Sequence, residues 1–213
     1  MKVFGSILSC DSLNLQKEID RLIGMGVSAL HLDVMDGVFV DKIFLGESVV
    51  NEITRRYKGI TIECHLMVST PAKTISHLDL DRIDRVIIHQ ADSLRDVLAC
   101  VKASRCTVGL AIVNTDELHK INEIKDAMHD KIDKILVMGV LPGEGGQPMR
   151  SNTKYLLELA QKEHPDLIIG VDGGVNMHTL HEVQSANEAV LGSCLFNESA
   201  EETLAHITKH YGE

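Results

Sequence analysis

The sequence predicts a (β/α)₈ TIM barrel that occupies residues 1–213 as a single domain. Three observations carry this expectation. Short apolar runs alternate with amphipathic stretches along the whole chain. Polar residues able to do chemistry fall at the C-terminal ends of those runs, where barrels of this kind build their sites. No linker, low-complexity tract or shift in composition divides the 213 residues.

The apolar runs are residues 3–8, 29–34, 60–68, 85–88, 107–112, 134–138, 167–171 and 189–191. Their length and β-branched content suit buried parallel strands, which need not alternate polar with apolar. Between them, residues 13–25, 49–57, 93–103, 117–128, 153–163 and 200–210 have helical periodicity. Asp11, Ser93 and Asp116 are candidate N-caps, and Pro71 suits a first helical turn. Eight strand–helix units in about 200 residues sit at the compact end of the barrel's size range. The doubly wound alternative expects a Gly-rich turn after the first strand, and Ser9-Cys10-Asp11-Ser12 is not one.

Composition narrows the function. Hydrophobic residues make up 44% of the chain and Trp is absent, so the core is aliphatic. The net charge of −10 argues against a nucleic-acid partner, which would need clustered Lys and Arg. No apolar run approaches a membrane span, and the N-terminus has no signal-peptide pattern. Five scattered cysteines without a C-x-x-C pair fit the reduced thiols of a cytoplasmic protein.

The polar residues decide more. His31 and Asp33 share one face of the second predicted strand, because side chains two apart point the same way. His65 ends the third, Asp172 the seventh and Ser9 the first. Taken singly, each has an ordinary structural explanation. Together, two imidazoles and two carboxylates at the rim of three strands would be costly to bury without a compensating cation. Mixed nitrogen and oxygen ligation admits one divalent ion of zinc, iron, manganese or cobalt and does not choose among them.

A second set is rich in glycine. Pro142-Gly143-Glu144-Gly145-Gly146-Gln147 follows the sixth predicted strand, Asp172-Gly173-Gly174 the seventh, and Gly192-Ser193 the eighth. Glycine lets loop backbone approach a ligand and aim several amides at one anion. Loops in these places form the recurrent phosphate cradle of the barrel, which an acidic protein can build without a Lys cluster.

The ordered segments Ser6-Ile7-Leu8-Ser9, His31-Leu32-Asp33-Val34-Met35-Asp36-Gly37, His65-Leu66-Met67-Val68, Pro142–Gln147, Val171–Gly174 and Gly192-Ser193 resemble the ribulose-phosphate 3-epimerase family over almost the whole chain. The resemblance implies a ribulose-phosphate-binding barrel with a metal held by His31, Asp33, His65 and Asp172. It implies that Asp33 and Asp172 act as the acid/base pair and that Ser9 and His65 contact substrate. Gly143, Gly145, Gly146, Gly173, Gly174, Gly192 and Ser193 would bind the phosphate of a ketose, and Met35, Met67 and Met138 match a methionine cluster lining the pocket. It also implies a homo-oligomer. The expected reaction is 3-epimerisation of D-ribulose 5-phosphate to D-xylulose 5-phosphate through an enediolate.

Three loops depart from the family pattern. D-G-H-F-V-P-N reads Asp36-Gly37-Val38-Phe39-Val40-Asp41-Lys42, an aromatic lid position reads Glu144, and N-P-x-T-P is replaced by Val113-Asn114-Thr115-Asp116. These changes lie on the substrate side. They keep open an epimerase of another keto-sugar phosphate, such as allulose 6-phosphate, and a non-catalytic sugar-phosphate-binding protein. A related barrel decarboxylase would show D-x-K-x-x-D, but Met35 and Val38 stand at its Lys and final Asp. A Schiff-base aldolase would need a Lys at the barrel mouth, and Lys134 begins its strand at the opposite end.

Overall fold

The computed structural model describes residues 1–89, 93–125 and 131–211. Its strands are β1 (Lys2–Ser6), β2 (Ala29–Asp36), β3 (Ile43–Phe44), β4 (Thr61–Met67), β5 (Arg85–Ile88), β6 (Thr107–Ile112), β7 (Ile132–Met138), β8 (Ile168–Asp172) and β9 (Glu188–Leu191). All but β3 are parallel neighbours in one ring, and β1 pairs with both β2 and β9 to close it. Closure removes the edges that a doubly wound sheet would leave. The short β3 was not expected. It runs antiparallel to the end of β2, with Met35 opposite Phe44 and Asp36 opposite Ile43.

The helices are α1 (Leu15–Gly24), α2 (Glu47–Arg56), α3 (Pro71–Ile75), α4 (Leu94–Val101), α5 (Thr115–Lys125), α6 (Thr153–Glu163) and α7 (Ala200–Tyr211). The expected repeat is irregular in two places. A 3₁₀ turn (Ser12–Asn14) precedes α1, and Asp11 caps that turn by accepting from the Leu13 amide. The connection from β8 to β9 carries a 3₁₀ turn (Leu180–Glu182) in place of a full helix. Residues 126–128 of the expected fourth helical stretch, 117–128, lie outside the described residues. Its cap is Asn114 rather than Asp116: Asn114 Oδ1 accepts from the Glu117 amide at 2.9 Å while Glu117 Oε2 accepts from the Val113 amide at 2.7 Å. This reciprocal exchange satisfies two amides at one helix entrance. Pro71 opens α3 as expected. His164 is fully buried just beyond α6.

Two apolar clusters follow from strand alternation. The larger packs helices against the outside of the barrel. The smaller, built on Phe4, Ala29, Ile87, Ala111, Leu136, Met138 and Val190, fills the inside. Below it lies a charged floor. Glu63, Arg85, Lys134 and Glu188 are all buried, with Lys134 Nζ 2.8 Å from oxygens of both glutamates and Arg85 Nη1 2.9 and 3.1 Å from the same two side chains. Side chains of these types are almost never fully buried unless paired. Lys134 also lies 4.8 Å above the Phe4 ring, where the aromatic face attracts a cation.

Space for Lys134 comes from Gly170 on the neighbouring strand β8. A Cβ at that position would stand 2.5 Å from Lys134 Cε. Gly170→Ala is therefore expected to lower the unfolding free energy by about 1–3 kcal/mol through overpacking. Urea denaturation measures it, and an unchanged midpoint would show that the floor has slack.

Candidate metal and substrate site

Strand register assembles the site. Pairing of β2 with β4 sets His31 beside Glu63 and Asp33 beside His65, and pairing of β7 with β8 sets Met138 beside Asp172. Four atoms then converge: His31 Nε2, His65 Nδ1, Asp33 Oδ1 and Asp172 Oδ2, all within 4.8 Å of one another. His31 Nε2 is 3.2 Å from His65 Nδ1, 3.3 Å from Asp33 Oδ1 and 3.6 Å from Asp172 Oδ2. His65 Nδ1 is 3.1 and 3.4 Å from the same two carboxylate oxygens. Four ligands placed tetrahedrally at about 2.0–2.2 Å from one ion would be about 3.3–3.6 Å apart. The donor set and its spacing thus fit a divalent metal ion.

Three of the four groups are anchored on their far side. Asp33 Oδ2 accepts from the Ser6 hydroxyl at 2.8 Å, and His31 Nδ1 lies 2.7 Å from Glu63 Oε1. His65 Nε2 lies 2.8 Å from His89 Nε2, and the His89 ring stacks between His65 and Phe39. Burial and the His65 charge push the His89 pKa down to about 2, so His89 stays neutral and accepts the His65 proton.

The electrostatics of the cluster favour positive charge at its centre. Burial alone would lower the pKa of His31, but the charges of Asp33 and Asp172 override it and raise it to about 10. Burial would raise Asp33, yet the His31 charge and bonds from both imidazoles hold it well below the usual carboxylate range. Glu63 behaves likewise, with Lys134 as the leading counter-charge.

Above the cluster, a cavity opens to solvent at the C-terminal end of the barrel. Asp33 and Asp172 reach its wall, with Ser9, Met67 and Met138. Gly143, Gly145, Gly146, Gly173, Gly174, Gly192 and Ser193 line it too, so the glycine loops face one space. No Lys or Arg does so among the described residues.

Three expectations change. β1 ends at Ser6, so Ser9 stands in the turn beyond it, beside Gly145. His65 is completely buried beneath the cavity, which gives it a place in the cluster and not on the substrate surface. Met35 is buried and likewise does not line the cavity.

Against this geometry, a model of the Ribulose-phosphate 3 epimerase family matches residues 2–196. The chain belongs to the ribulose-phosphate 3-epimerase family. Membership makes it an epimerase of the isomerase class. The ribulose-phosphate 3-epimerase of Encephalitozoon cuniculi is 31% identical over 192 residues, covering 90% of this chain and 85% of that one. The Bacillus subtilis ribulose-phosphate 3-epimerase is 31% identical over 210 residues, covering 93% and 94%. Among solved structures, KGPDC from Streptococcus mutans superposes with a TM-score of 0.68 at 9% identity, covering 99% of both chains. Phosphoribosyl anthranilate isomerase from Thermococcus kodakaraensis gives a TM-score of 0.65 at 12% identity, covering 97% of this chain and 99% of that one. These likenesses show the shared barrel alone.

Sequence reasoning gave no role to Ser6 or Glu63. The available signal was alternation: Glu63 is two residues before His65 and must share its inward face.

Asp36 ends β2 and ties the mouth together. Its carboxylate accepts from the Val38, Phe39 and Ser69 amides and from the Ser69 hydroxyl at 2.7–2.9 Å. Desolvation works against its charge, but these bonds hold its pKa well below the usual range. A carboxylate lowered by folding contributes stability above its unfolded pKa and loses it as pH falls through the folded value. The stability difference between the wild type and Asp36→Asn is therefore expected to be constant from about pH 5 to 8 and to shrink below about pH 4. Denaturation across pH checks it, and a difference that grows on acidification would contradict this role.

Proposed function

We propose that this enzyme interconverts D-ribulose 5-phosphate and D-xylulose 5-phosphate, with Asp33 and Asp172 moving the proton at C3. One observation carries the reading. Of the four clustered groups, only the two carboxylates reach the cavity, and they come from strands three positions apart around an eight-strand ring. Epimerisation next to a ketone needs a base on one face of the carbon and an acid on the other, and this placement supports that division.

His31, Asp33, His65 and Asp172 would together hold one divalent ion, with zinc, iron, manganese and cobalt all admitted by the ligand types. Such an ion supplies Lewis-acid polarisation of the substrate's ketone oxygen when bound. The chain does the rest. One carboxylate, entering the cycle ionised, takes the C3 proton, leaving an enediolate, and the other, entering it protonated, delivers its proton to the opposite face, which inverts C3. Asp33 is held for this task by Ser6, and Asp172 by its place at the end of β8.

The phosphate would sit against backbone of the three glycine loops with Ser9 and Ser193 at their edges. Gly173 and Gly174 have φ values of 98° and 73°, which side chains other than glycine's rarely adopt. The same reading includes the cytoplasmic location and homo-oligomeric state that the family resemblance implies. All five cysteines are free thiols, which suits a reducing compartment.

The test is turnover of D-ribulose 5-phosphate in deuterated water by protein reconstituted with each candidate metal. Conversion to xylulose 5-phosphate with deuterium at C3 is expected, with loss after chelation and recovery on readdition of metal. Asp172→Asn is expected to retain the wild-type circular dichroism spectrum and lose at least about 10²-fold in turnover. Wild-type turnover in that variant would sink the two-carboxylate mechanism. Conversion of allulose 6-phosphate but not ribulose 5-phosphate would move the assignment to the longer sugar.

A further inference from the structure

The buried groups that the proposed chemistry leaves unused are those of the barrel floor. Glu63 differs from its neighbours there in touching a group of the metal cluster. Its Oε1 is 2.7 Å from His31 Nδ1. Its Oε2 accepts from Arg85 Nη1 at 2.9 Å and from Lys134 Nζ at 2.8 Å, and Lys134 Nζ also lies 3.1 Å from Oε1. An ionised carboxylate only accepts hydrogen bonds, so His31 must be the donor and its proton sits on Nδ1. Once a metal displaces the proton on the inner nitrogen, the lone pair is on Nε2, the atom that faces His65, Asp33 and Asp172.

We propose that Glu63 is a positioning residue for His31, fixing the imidazole so that Nε2 is the metal donor, with Lys134 and Arg85 locking the carboxylate in place. The inference rests on the metal reading above. A purely structural floor has no need of this contact, because buried ion networks are commonly matched in stability by apolar side chains of similar volume. Glu188 supplies the internal comparison. It touches the same two cations, at 3.1 Å from Arg85 and 2.8 Å from Lys134, and among the described residues it bonds to no imidazole.

Glu63→Gln is the informative change. The Oε2 position faces two cationic donors, so the glutamine would turn its oxygen toward them and its NH₂ toward His31 Nδ1. That nitrogen would have to accept, and the proton would move to Nε2, where it competes with the metal. Removing such an outer partner typically costs metal affinity about 10–100-fold.

The experiment is competition for zinc between a chelator and the wild type, Glu63→Gln and Glu188→Gln, with apo-protein melting recorded in parallel. Zinc binding is expected to weaken about 10–100-fold in Glu63→Gln and to stay within about threefold of wild type in Glu188→Gln, although both variants lose a floor charge. Equal losses in the two variants, or none in Glu63→Gln, would overturn the proposal while leaving the metal site standing. A wild type that binds no zinc would overturn the metal reading and this one with it. A readout independent of any variant is the long-range proton–nitrogen spectrum of the zinc-loaded wild type. The proton is expected on His31 Nδ1; a proton on Nε2 would also overturn the proposal.

Discussion

The rest of the structure answers to one constraint: two carboxylates and two imidazoles meet inside a barrel with almost no water to solvate them. An isolated buried charge is expensive, and a group usually shifts its pKa to avoid it. Here the strands bring opposite tendencies together, so Asp33 is held anionic and the imidazoles are driven toward the cationic form. A divalent ion satisfies the same demand for positive charge. Ser6, Glu63 and His89 each bind a ligand's outer atom, which leaves the inner atoms aimed at a common point. The cluster is thus directional as well as charge-balanced.

An acidic protein with an acidic cavity wall must still receive an anion. Backbone amides are the one source of positive potential that adds no formal charge, and a run of glycines lets them approach. Glu144 stands exposed in the same loop, with the Gln147 amide bridging the carbonyls of Leu141 and Glu144 to shape it. The contacts that shape the loop therefore run from the Gln147 side chain to backbone carbonyls, and they do not depend on the side chain at position 144.

Much of this was legible in the sequence because the signals were local or periodic. Strand spacing placed His31 and Asp33 on one face, and the glycine runs marked the loops that line the cavity. The floor was less legible for a definite reason. Glu63, Arg85, Lys134 and Glu188 look like strand-end charges when read along the chain, and only the closure of the ring brings them together. β3 was hidden as well, since two paired residues in a loop leave no periodic trace. The cap at Asn114 was misread by two residues because its partner is a glutamate three positions on.

The two halves of the site are also joined mechanically. The Gly139 amide, at the start of the loop after β7, donates to the Asp172 carbonyl at 2.7 Å, and the Arg150 amide returns to the Gly139 carbonyl at 2.8 Å. Any side chain at position 139 would collide with the carbonyl oxygen of Gly173. The loop that lines the cavity over Gly143–Gly146 and the strand end that carries Asp172 therefore share backbone contacts too tight to slide. On the proposed reading, an anion gripped by one would fix the position of the other. Binding energy gathered away from the reacting carbon is useful only where it orders the reacting groups, and the contact at Gly139 would be the path by which this fold applies it.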